Sequence, residues 1–385
     1  MREKFKRVKA VFTRFRGLAT LGFGNITSAG ISAIFWFYLA SLLGAENYGQ
    51  VSYLIAIASI SSTISFLGAG NTIIVYTAKG EKVQSPIFFI SIISSAVTLI
   101  AVFIIFSQIG VSLYILGYVI FSLSTSELLG KKLYGVYTKY LITQKILMTV
   151  FAISLYYFLG VGGVILGIAL SFFPYSIRIY KSFKESKIDL RLIKSHFGFM
   201  MNSYVLDLSR TLSGSTDKLL ISPMFGFAIL GHYQLGIQFL SILSIIPSIV
   251  YQFILPEDSS GNSNHRLKKY TIIFSTILAF LGMTLSPFIL PALFPKFTDA
   301  IEVVQIVSLS IIPATINLIY ISKFLGKGLS RIVLIGSGVF LSIQIASIFV
   351  LGQIYGVNGV ATALLIATSA EAIFLMIMNR VFYKI

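Results

Sequence analysis

Residues 207–218 of the chain read DLSRTLSGSTDK. Two acids and two bases therefore lie inside an apolar stretch of about membrane length: Asp207, Arg210, Asp217 and Lys218. At about 100° per residue, these four side chains fall within an arc of roughly 100° on one side of a helix. A charge at the centre of a membrane costs about 2.5–3.5 kcal/mol on insertion scales, so such residues persist where they face a bundle interior or a water-filled path. The stretch predicts a membrane helix that forms one wall of a transport pathway.

The composition is that of an all-α membrane protein. The mean hydropathy is +0.90, and 56% of residues are hydrophobic. Only 11% are charged, whereas a soluble domain has about 25%. Long apolar runs and few acids predict a polytopic protein with almost no domain outside the membrane. The chain has no cysteine, which excludes disulfides and thiolate chemistry. Its three histidines fall in separate parts of the predicted topology, so no metal site is expected.

Apolar runs broken by charge, glycine and proline predict twelve membrane spans. Each is close to the roughly 20 residues needed to cross about 30 Å of hydrocarbon. The predicted spans are 18–43, 49–76, 86–107, 109–129, 141–159, 161–180, 199–223, 227–254, 270–292, 300–322, 331–352 and 357–379.

Basic residues fix the predicted orientation of these spans. Arg210 and Lys218 lie well within a span and Lys296 in an odd-numbered connection, whereas all other Lys and Arg residues fall in the termini, in even-numbered connections or at the adjoining span ends. The fourth connection, for example, holds the lysines at 131, 132, 139 and 145. The positive-inside rule then predicts a multi-pass cell-membrane protein with both termini cytoplasmic. The net charge of +17 thus reflects topology and contact with anionic lipid, and no nucleic-acid partner is expected.

Two glycine turns recur in the second half of the chain. The segment 43–50 after the first span and the segment 225–232 after the seventh both carry two glycines five residues apart. Likewise, GVGGV at 160–164 precedes the sixth span and GVNGV at 356–360 precedes the twelfth. A six-helix unit used twice predicts parallel repeats with a substrate cavity between them. The predicted domains are a basic cytoplasmic segment (1–17), an N-lobe (18–180), a cytoplasmic linker (181–198) and a C-lobe (199–380).

The same segments resemble the polysaccharide repeat-unit flippases (Wzx-like proteins) of the MATE/MOP exporter superfamily. LASLLGAENYGQ at 39–50 is similar to the family's LARLLGPEDYG turn, and LGAGNT at 67–72 to its LGLNTA segment. Asp217 with 219–221 resembles D-x-ILIG, 231–233 resembles GYY, and 356–359 resembles GVxGAA. Pro256 and Ser259 match the P-x-x-S ending of the eighth span. The resemblance covers essentially the whole chain, although each motif alone is degenerate.

The resemblance implies two six-helix lobes that alternate access to a central cavity. It also implies a substrate, namely an oligosaccharide on a polyprenyl phosphate or pyrophosphate carrier that moves from the cytoplasmic to the outer leaflet. Glycan polymerases or glycosyltransferases are then expected partners, in addition to membrane lipids. Because both lobes are present in one chain, we expect a monomer to be functional.

Three residues are predicted to contact substrate. Arg210 and Lys218 suit an anionic phosphate, for which an arginine offers a bidentate contact. The alternative is a structural role in which Arg210 neutralises Asp207 and Asp217 and so allows the helix to insert. Asn25 is predicted to line the cavity, because the first and seventh spans are equivalent in the repeat.

Acidic residues are candidates for ion coupling. Asp207, Asp217 and Glu371 are each predicted to bind a proton or Na⁺ in a transport cycle, and no other cofactor is expected. For the two aspartates the alternative is ion pairing, and for Glu371 it is an interhelical hydrogen bond in the protonated form. Glu127 is instead predicted to form a salt bridge with Lys131. Pro247, in the middle of the eighth span, is the preferred hinge among the span prolines.

Two other functions compete with a flippase. The first is an ion-coupled exporter of small molecules or drugs, for which an acid in the first span is a common feature that this chain lacks. The second is a membrane glycan polymerase or glycosyltransferase, which needs a long external loop. The longest odd-numbered connection, about 292–300, holds only Lys296 and Asp299 as charged residues. No nucleotide-binding glycine loop or Ser/His/Asp arrangement occurs, so the chain is not expected to be an enzyme.

Overall fold

Helices account for nearly all of the chain in a computed structural model that describes residues 2–185, 188–260 and 264–383, with side chains from 19 to 382. The side chains of the predicted basic segment 1–17 lie outside this described part. The helices are α1 (Arg2–Phe66), α2 (Ala69–Ala78), α3 (Gln84–Phe106), α4 (Ile109–Gly130), α5 (Tyr134–Leu170), α6 (Ser176–Glu185), α7 (Arg191–Phe225), α8 (Phe227–Leu243), α9 (Ile245–Ser259), α10 (His265–Leu293), α11 (Ala300–Leu309), α12 (Ile311–Gly326) and α13 (Ser330–Tyr383).

The described helices include seven segments long and apolar enough to cross a membrane, and the bent pair α8 and α9 makes an eighth. Non-helical glycines divide three of these segments, at Gly44 in α1, Gly160 in α5 and Gly356 in α13. The charged helix α7 is not among the eight, because its polar residues lower its hydropathy. When α7 is counted and the three segments are divided, the described chain accounts for the twelve predicted spans.

The predicted glycine turns share their backbone conformation in pairs. Gly44 has φ 75° and ψ 174°, and its counterpart Gly226 has φ 88° and ψ 168°. Gly160 has φ 61° and ψ −143°, and its counterpart Gly356 has φ 56° and ψ −130°. Glycine adopts positive φ without the steric cost that a Cβ brings. The positions of all four turns are therefore confirmed.

A further pair of equivalent turns, which was not predicted from the sequence, connects α4 to α5 and α12 to α13. Residues 126–133 read SELLGKKL and residues 322–329 read SKFLGKGL, the same distance apart as Gly160 and Gly356. Lys132 and Gly328, at equivalent positions, both have positive φ, of 57° and 74°. The two turns therefore share a backbone conformation as well as a sequence pattern.

Prolines account for two helix breaks. The break between α8 and α9, at Ser244, bends the chain by 49°, and Pro247 follows three residues later. Pro313 likewise follows the break between α11 and α12 at Ser310. A proline ring clashes with the carbonyl four residues before it, and in both cases that carbonyl belongs to the last residue of the preceding helix. The chain is thus bent next to Pro247, and the hinge role of Pro247 stays a prediction.

The chain divides into two compact units. Unit 1 comprises Met1–Phe35 and Ile57–Leu208, and unit 2 comprises Trp36–Ala56 and Ser209–Ile385. Phe88, Leu123 and Tyr175 are among the buried core residues of unit 1. The predicted lobe boundaries at 18–180 and 199–380 stay predictions.

Unit 2 contains a close helix crossing at two of the repeated glycines. A Cβ on Gly49 would overlap the carbonyl oxygen of Phe227, and a Cβ on Gly231 would overlap that of Ala45. The helical segment after Gly44 and helix α8 therefore meet backbone to backbone. Tyr48 packs beside this crossing on Phe297, with ring centroids 6.1 Å apart.

Two predicted placements are wrong. Lys139 and Lys145, assigned to the fourth connection, both lie inside α5, because that helix starts at Tyr134 rather than near residue 141. His196 belongs to the predicted cytoplasmic linker 181–198, but it lies inside α7, which starts at Arg191. In both regions the helix begins in a polar stretch, before the apolar run from which the span was predicted.

Candidate functional site

The four charged residues of α7 differ in environment. Asp217 is buried, Asp207 and Lys218 are half-buried, and Arg210 is exposed. Asp207 belongs to unit 1 and the other three belong to unit 2. A shared helix face, as deduced from the sequence, therefore does not give these charges a shared environment.

Asp217 is held by three donors within unit 2. One carboxylate oxygen accepts a hydrogen bond from the hydroxyl of Tyr233 on α8 at 2.9 Å. The other accepts from the backbone N–H of Lys218 at 2.8 Å and from its ammonium at 3.2 Å. Tyr233 is fully buried, so this hydrogen bond connects the carboxylate of Asp217 to the buried face of α8. Among the described residues, the ion-pair partner of Asp217 is Lys218 and not the predicted Arg210.

The predicted substrate contacts differ in availability. The ammonium of Lys218 donates to the carbonyl of Gly214 at 2.6 Å as well as to Asp217. Arg210 and Asn25 are both exposed, on α7 and α1 respectively. The structure thus leaves the guanidinium of Arg210 accessible to an anionic group, while Lys218 serves mainly to neutralise Asp217.

Glu371 forms the predicted interhelical hydrogen bond. The amide of Asn317 on α12 donates to a carboxyl oxygen of Glu371 on α13 at 2.9 Å. The same amide donates to the carbonyl of Thr368 at 3.1 Å. An accepting carboxyl oxygen is compatible with either protonation state, so this geometry allows both a coupling role and a structural one.

Glu127 lies at the centre of a charged cluster in unit 1. Its fully buried carboxylate accepts from Arg178 through Nε at 2.7 Å and Nη2 at 2.9 Å, and from the hydroxyl of Ser182 at 2.6 Å. The predicted ion pair with Lys131 is confirmed, at 2.7 Å. Lys131 also binds Glu185 at 2.6 Å. Burial alone would lower the pKa of Lys131, but its hydrogen bonds to the two glutamates raise that pKa above its ordinary value.

Arg178 and Ser182 were not identified as partners of Glu127 from the sequence. They are 51 and 55 residues away, and only packing of α6 against α4 brings them there. A cavity of about 360 Å³ adjoins this cluster and is lined by Thr77, Gly80, Glu81, Lys82, Gln84, Glu127, Lys131, Ser182 and Glu185.

Comparison with known proteins finds one family model that matches the first third of the chain. Residues 15–136 match the model of a family described as polysaccharide biosynthesis protein. No curated protein sequence matches the chain.

Solved structures resemble the fold over nearly its whole length. A lipid II flippase, MurJ, in an inward closed conformation matches with a TM-score of 0.78 and 14% identity, over 94% of this chain and 87% of the other. An inward-facing multidrug resistance MATE family transporter of the MOP superfamily matches with a TM-score of 0.68 and 16% identity, over 92% and 94%. A MOP superfamily transporter from Pyrococcus furiosus matches with a TM-score of 0.58 and 14% identity, over 95% of both chains.

The chain is therefore a multi-pass membrane protein with the fold of MOP superfamily transporters. The predicted resemblance is confirmed as a match of residues 15–136 to the polysaccharide biosynthesis family model together with a fold like that of MATE/MOP superfamily transporters.

Proposed function

We propose that the chain is a flippase that moves a lipid-linked oligosaccharide, on a polyprenyl phosphate or pyrophosphate carrier, across the cell membrane for surface polysaccharide biosynthesis. The observation that carries the proposal is the match of residues 15–136 to a family described as polysaccharide biosynthesis protein. The similarity in fold to a lipid II flippase supports a lipid substrate. Alternating access with both termini in the cytoplasm is the mechanism that fits the repeated six-helix pattern and the distribution of basic residues.

Arg210 is the preferred contact for the carrier phosphate. Its guanidinium is exposed on the most polar of the predicted membrane helices, and its planar donors fit a phosphate in bidentate geometry. Lys218 is the weaker candidate, because its ammonium already donates to Gly214 and Asp217. Asn25 is proposed to bind the sugar or the phosphate through its exposed amide.

Ion coupling is proposed to involve Asp207, Asp217 and Glu371, with a proton or Na⁺ as the ion. Asp217 is best placed, because its carboxylate joins α7 to α8 through Tyr233. Loss of the negative charge would weaken its pairing with Lys218 and would free a cation for the substrate. Glu371 joins α12 to α13 through Asn317 in a similar way. An ion gradient is the proposed energy source.

The monomer is proposed to be the transporting unit, with glycosyltransferases supplying the substrate and a glycan polymerase consuming it. Light scattering of the purified chain in detergent checks the oligomeric state. Because the chain has no cysteine, single cysteines placed at either terminus report the predicted cytoplasmic orientation through reagents that do not cross membranes.

The proposal is tested by mass spectrometry of the lipid extract from a deletion strain, with surface glycan assayed in parallel. Accumulation of polyprenyl-linked oligosaccharide together with loss of surface polymer is the expected result, and the accumulated lipid identifies the substrate. Complementation by Arg210→Ala should fail although the variant inserts into the membrane, whereas Arg266→Ala, at the exposed start of α10, should restore the glycan. Normal glycan with Arg210→Ala would exclude the proposed role of Arg210.

Unchanged lipid-linked sugars in the deletion strain would contradict the flippase proposal. Increased drug sensitivity of that strain would then favour a small-molecule exporter, whose fold the MATE transporters share. Undecorated carrier lipid, without its oligosaccharide, would instead favour a glycosyltransferase, and accumulation of unpolymerised units on the outer leaflet a polymerase. Both enzymes would require a catalytic site, which the short connection between α10 and α11 offers little room for.

A further inference from the structure

Half-buried Lys145 on α5 differs from the buried charges of the described chain. Glu127 pairs with Arg178, Asp217 with Lys218, and Asp258 with Lys268. The ammonium of Lys145, by contrast, has neither an ion pair nor a hydrogen bond among the described residues. A cation at this position therefore has no counter-charge supplied by the described protein.

Lys145 lies close to the middle of the first segment of α5, an apolar helix long enough to cross a membrane. Its helix runs from Tyr134 to the break at Gly160. At 1.5 Å per residue, Lys145 lies about 16 Å from the first of these residues and about 22 Å from the second. A charge at such a depth is costly unless it faces water or an anionic group.

The face of α5 that carries Lys145 points towards α1. Thr138, Lys145 and Ala152 follow at intervals of seven residues and share a stripe, and the first and last of them are buried. The hydroxyl of Thr138 donates to the carbonyl of Thr20 on α1 at 3.0 Å. A Cβ on Gly24, also on α1, would lie 2.7 Å from the Thr138 hydroxyl oxygen. Two exposed residues, Ile146 and Val150, lie about 100° and 140° around α5 from Lys145.

We propose that Lys145 binds the phosphate group of the polyprenyl carrier and so provides a cationic contact within unit 1. This assignment rests on the proposed function. An ammonium with three free donors suits a phosphate as a point charge. A bound phosphate supplies the counter-charge that the protein does not, so Lys145 is compensated by substrate rather than by a neighbouring carboxylate.

A structural lysine and a substrate-binding lysine respond in opposite ways to replacement by methionine. Lys145→Met keeps the length of the side chain and removes an uncompensated charge, so the purified full chain should melt at the same or a higher temperature. At the same time, binding of polyprenyl phosphate should weaken by about tenfold or more, as expected for a lost charged hydrogen bond. Lys145→Arg should retain most of the binding.

The binding experiment uses the full chain in nanodiscs, with native mass spectrometry or a fluorescent competitor as readout. The probes are polyprenyl phosphate, phosphatidylglycerol and inorganic phosphate. Lys139→Met, an exposed lysine on the same helix, is the matched control and should bind like the unaltered chain. Selective weakening for polyprenyl phosphate in Lys145→Met supports the assignment.

Three results would overturn the assignment: unaltered binding by Lys145→Met, a marked fall in its melting temperature, or equal weakening for phosphatidylglycerol or inorganic phosphate. The last would identify a general lipid-headgroup or free-phosphate site. Failure of the unaltered chain to bind polyprenyl phosphate would contradict the proposed function itself, which separates that failure from a failure at Lys145 alone.

Discussion

The turn between α4 and α5 and the turn between α12 and α13 have the same backbone but different charges. In each turn a glycine packs on a neighbouring helix. A Cβ on Gly130 would lie 2.7 Å from Cβ of Thr77, and a Cβ on Gly326 would lie 3.1 Å from Cβ of Asp258. Thr77 and Asp258 therefore occupy equivalent places in the two units.

The buried acid lies on a different helix in each of the two turns. Unit 1 has Glu127 on the helix before the turn and a neutral hydrogen bond, from Gln84 to Thr77 at 2.9 Å, on the neighbouring helices. Unit 2 has Lys323 at the position of Glu127, where it donates to Asn379 at 2.7 Å. Its acid is Asp258, which binds Lys268 at 2.6 Å and 2.9 Å and accepts from Ser322 at 2.7 Å.

This difference teaches that the repeat preserves the packing of glycine and the left-handed turn, whereas the position of the buried acid is free to move. In each unit, the buried acid accepts hydrogen bonds from donors of the same unit. Disrupting the acids and the glycines separately should therefore distinguish the role of charge from the role of backbone packing.

The largest effect is expected for Glu127→Ala. The change leaves Arg178 and Lys131 without their shared carboxylate, and removal of one partner of a buried ion pair typically costs about 3–5 kcal/mol in the free energy of unfolding. Thermal unfolding of the purified protein in detergent measures the loss. Glu185→Ala removes a carboxylate whose side chain is 52% exposed and should cost less than about 1 kcal/mol. Equal losses in the two variants would contradict a central role for Glu127.

A smaller loss is expected for Asp258→Ala in unit 2. Asp258 binds the ammonium of Lys268 and the hydroxyl of Ser322, so we expect a destabilisation of about 2–3 kcal/mol. Combining the change with Lys268→Met should recover part of the stability, because the double variant no longer buries the ammonium that has lost its ion pair with Asp258. If the double variant is less stable than Asp258→Ala alone, Lys268 stabilises unit 2 by contacts other than its ion pair with Asp258.

The smallest effects are expected at the turn glycines. Gly130→Ala and Gly326→Ala should each destabilise the protein by about 1–3 kcal/mol through overpacking. Gly135→Ala on α5 is the control, because no atom lies within 4 Å of its added Cβ, and it should stabilise the helix by up to about 1 kcal/mol. Similar losses at Gly130 and Gly326 would support equivalent packing in the two units, whereas a loss at only one would restrict the repeat to its sequence pattern.

Local sequence patterns predicted much of this fold. Paired glycines identified the turns at Gly44 and Gly226, because positive φ leaves few alternatives to glycine. Pro247 identified a helix break, since the proline ring excludes a regular helix at a known offset. The ion pair between Glu127 and Lys131 followed from their spacing of four residues.

Contacts between distant segments could not be predicted in the same way. Arg178 reaches Glu127 only through tertiary packing, and no motif marks it. The repeat at Gly130 and Gly326 was missed because the acid of one turn is replaced by a lysine in the other. Lys145 was assigned to the fourth connection with Lys131, Lys132 and Lys139. The helix nevertheless includes Lys145, and its neighbour Gln144 is buried against a polar partner, Ser171, at 3.0 Å.

The backbone contact at Gly49 and Gly231 has a consequence for how this gene can vary. Every single-base change in a glycine codon that alters the amino acid adds a Cβ. At these two positions that atom would overlap a carbonyl oxygen of the facing helix. Side-chain rotation cannot relieve this overlap, because the facing atom belongs to the backbone. A tolerated replacement therefore requires the two helices to separate. Surveys of natural or laboratory variants should find glycine at these two positions among the most invariant residues of the protein, even though neither glycine has a side chain to bind a substrate.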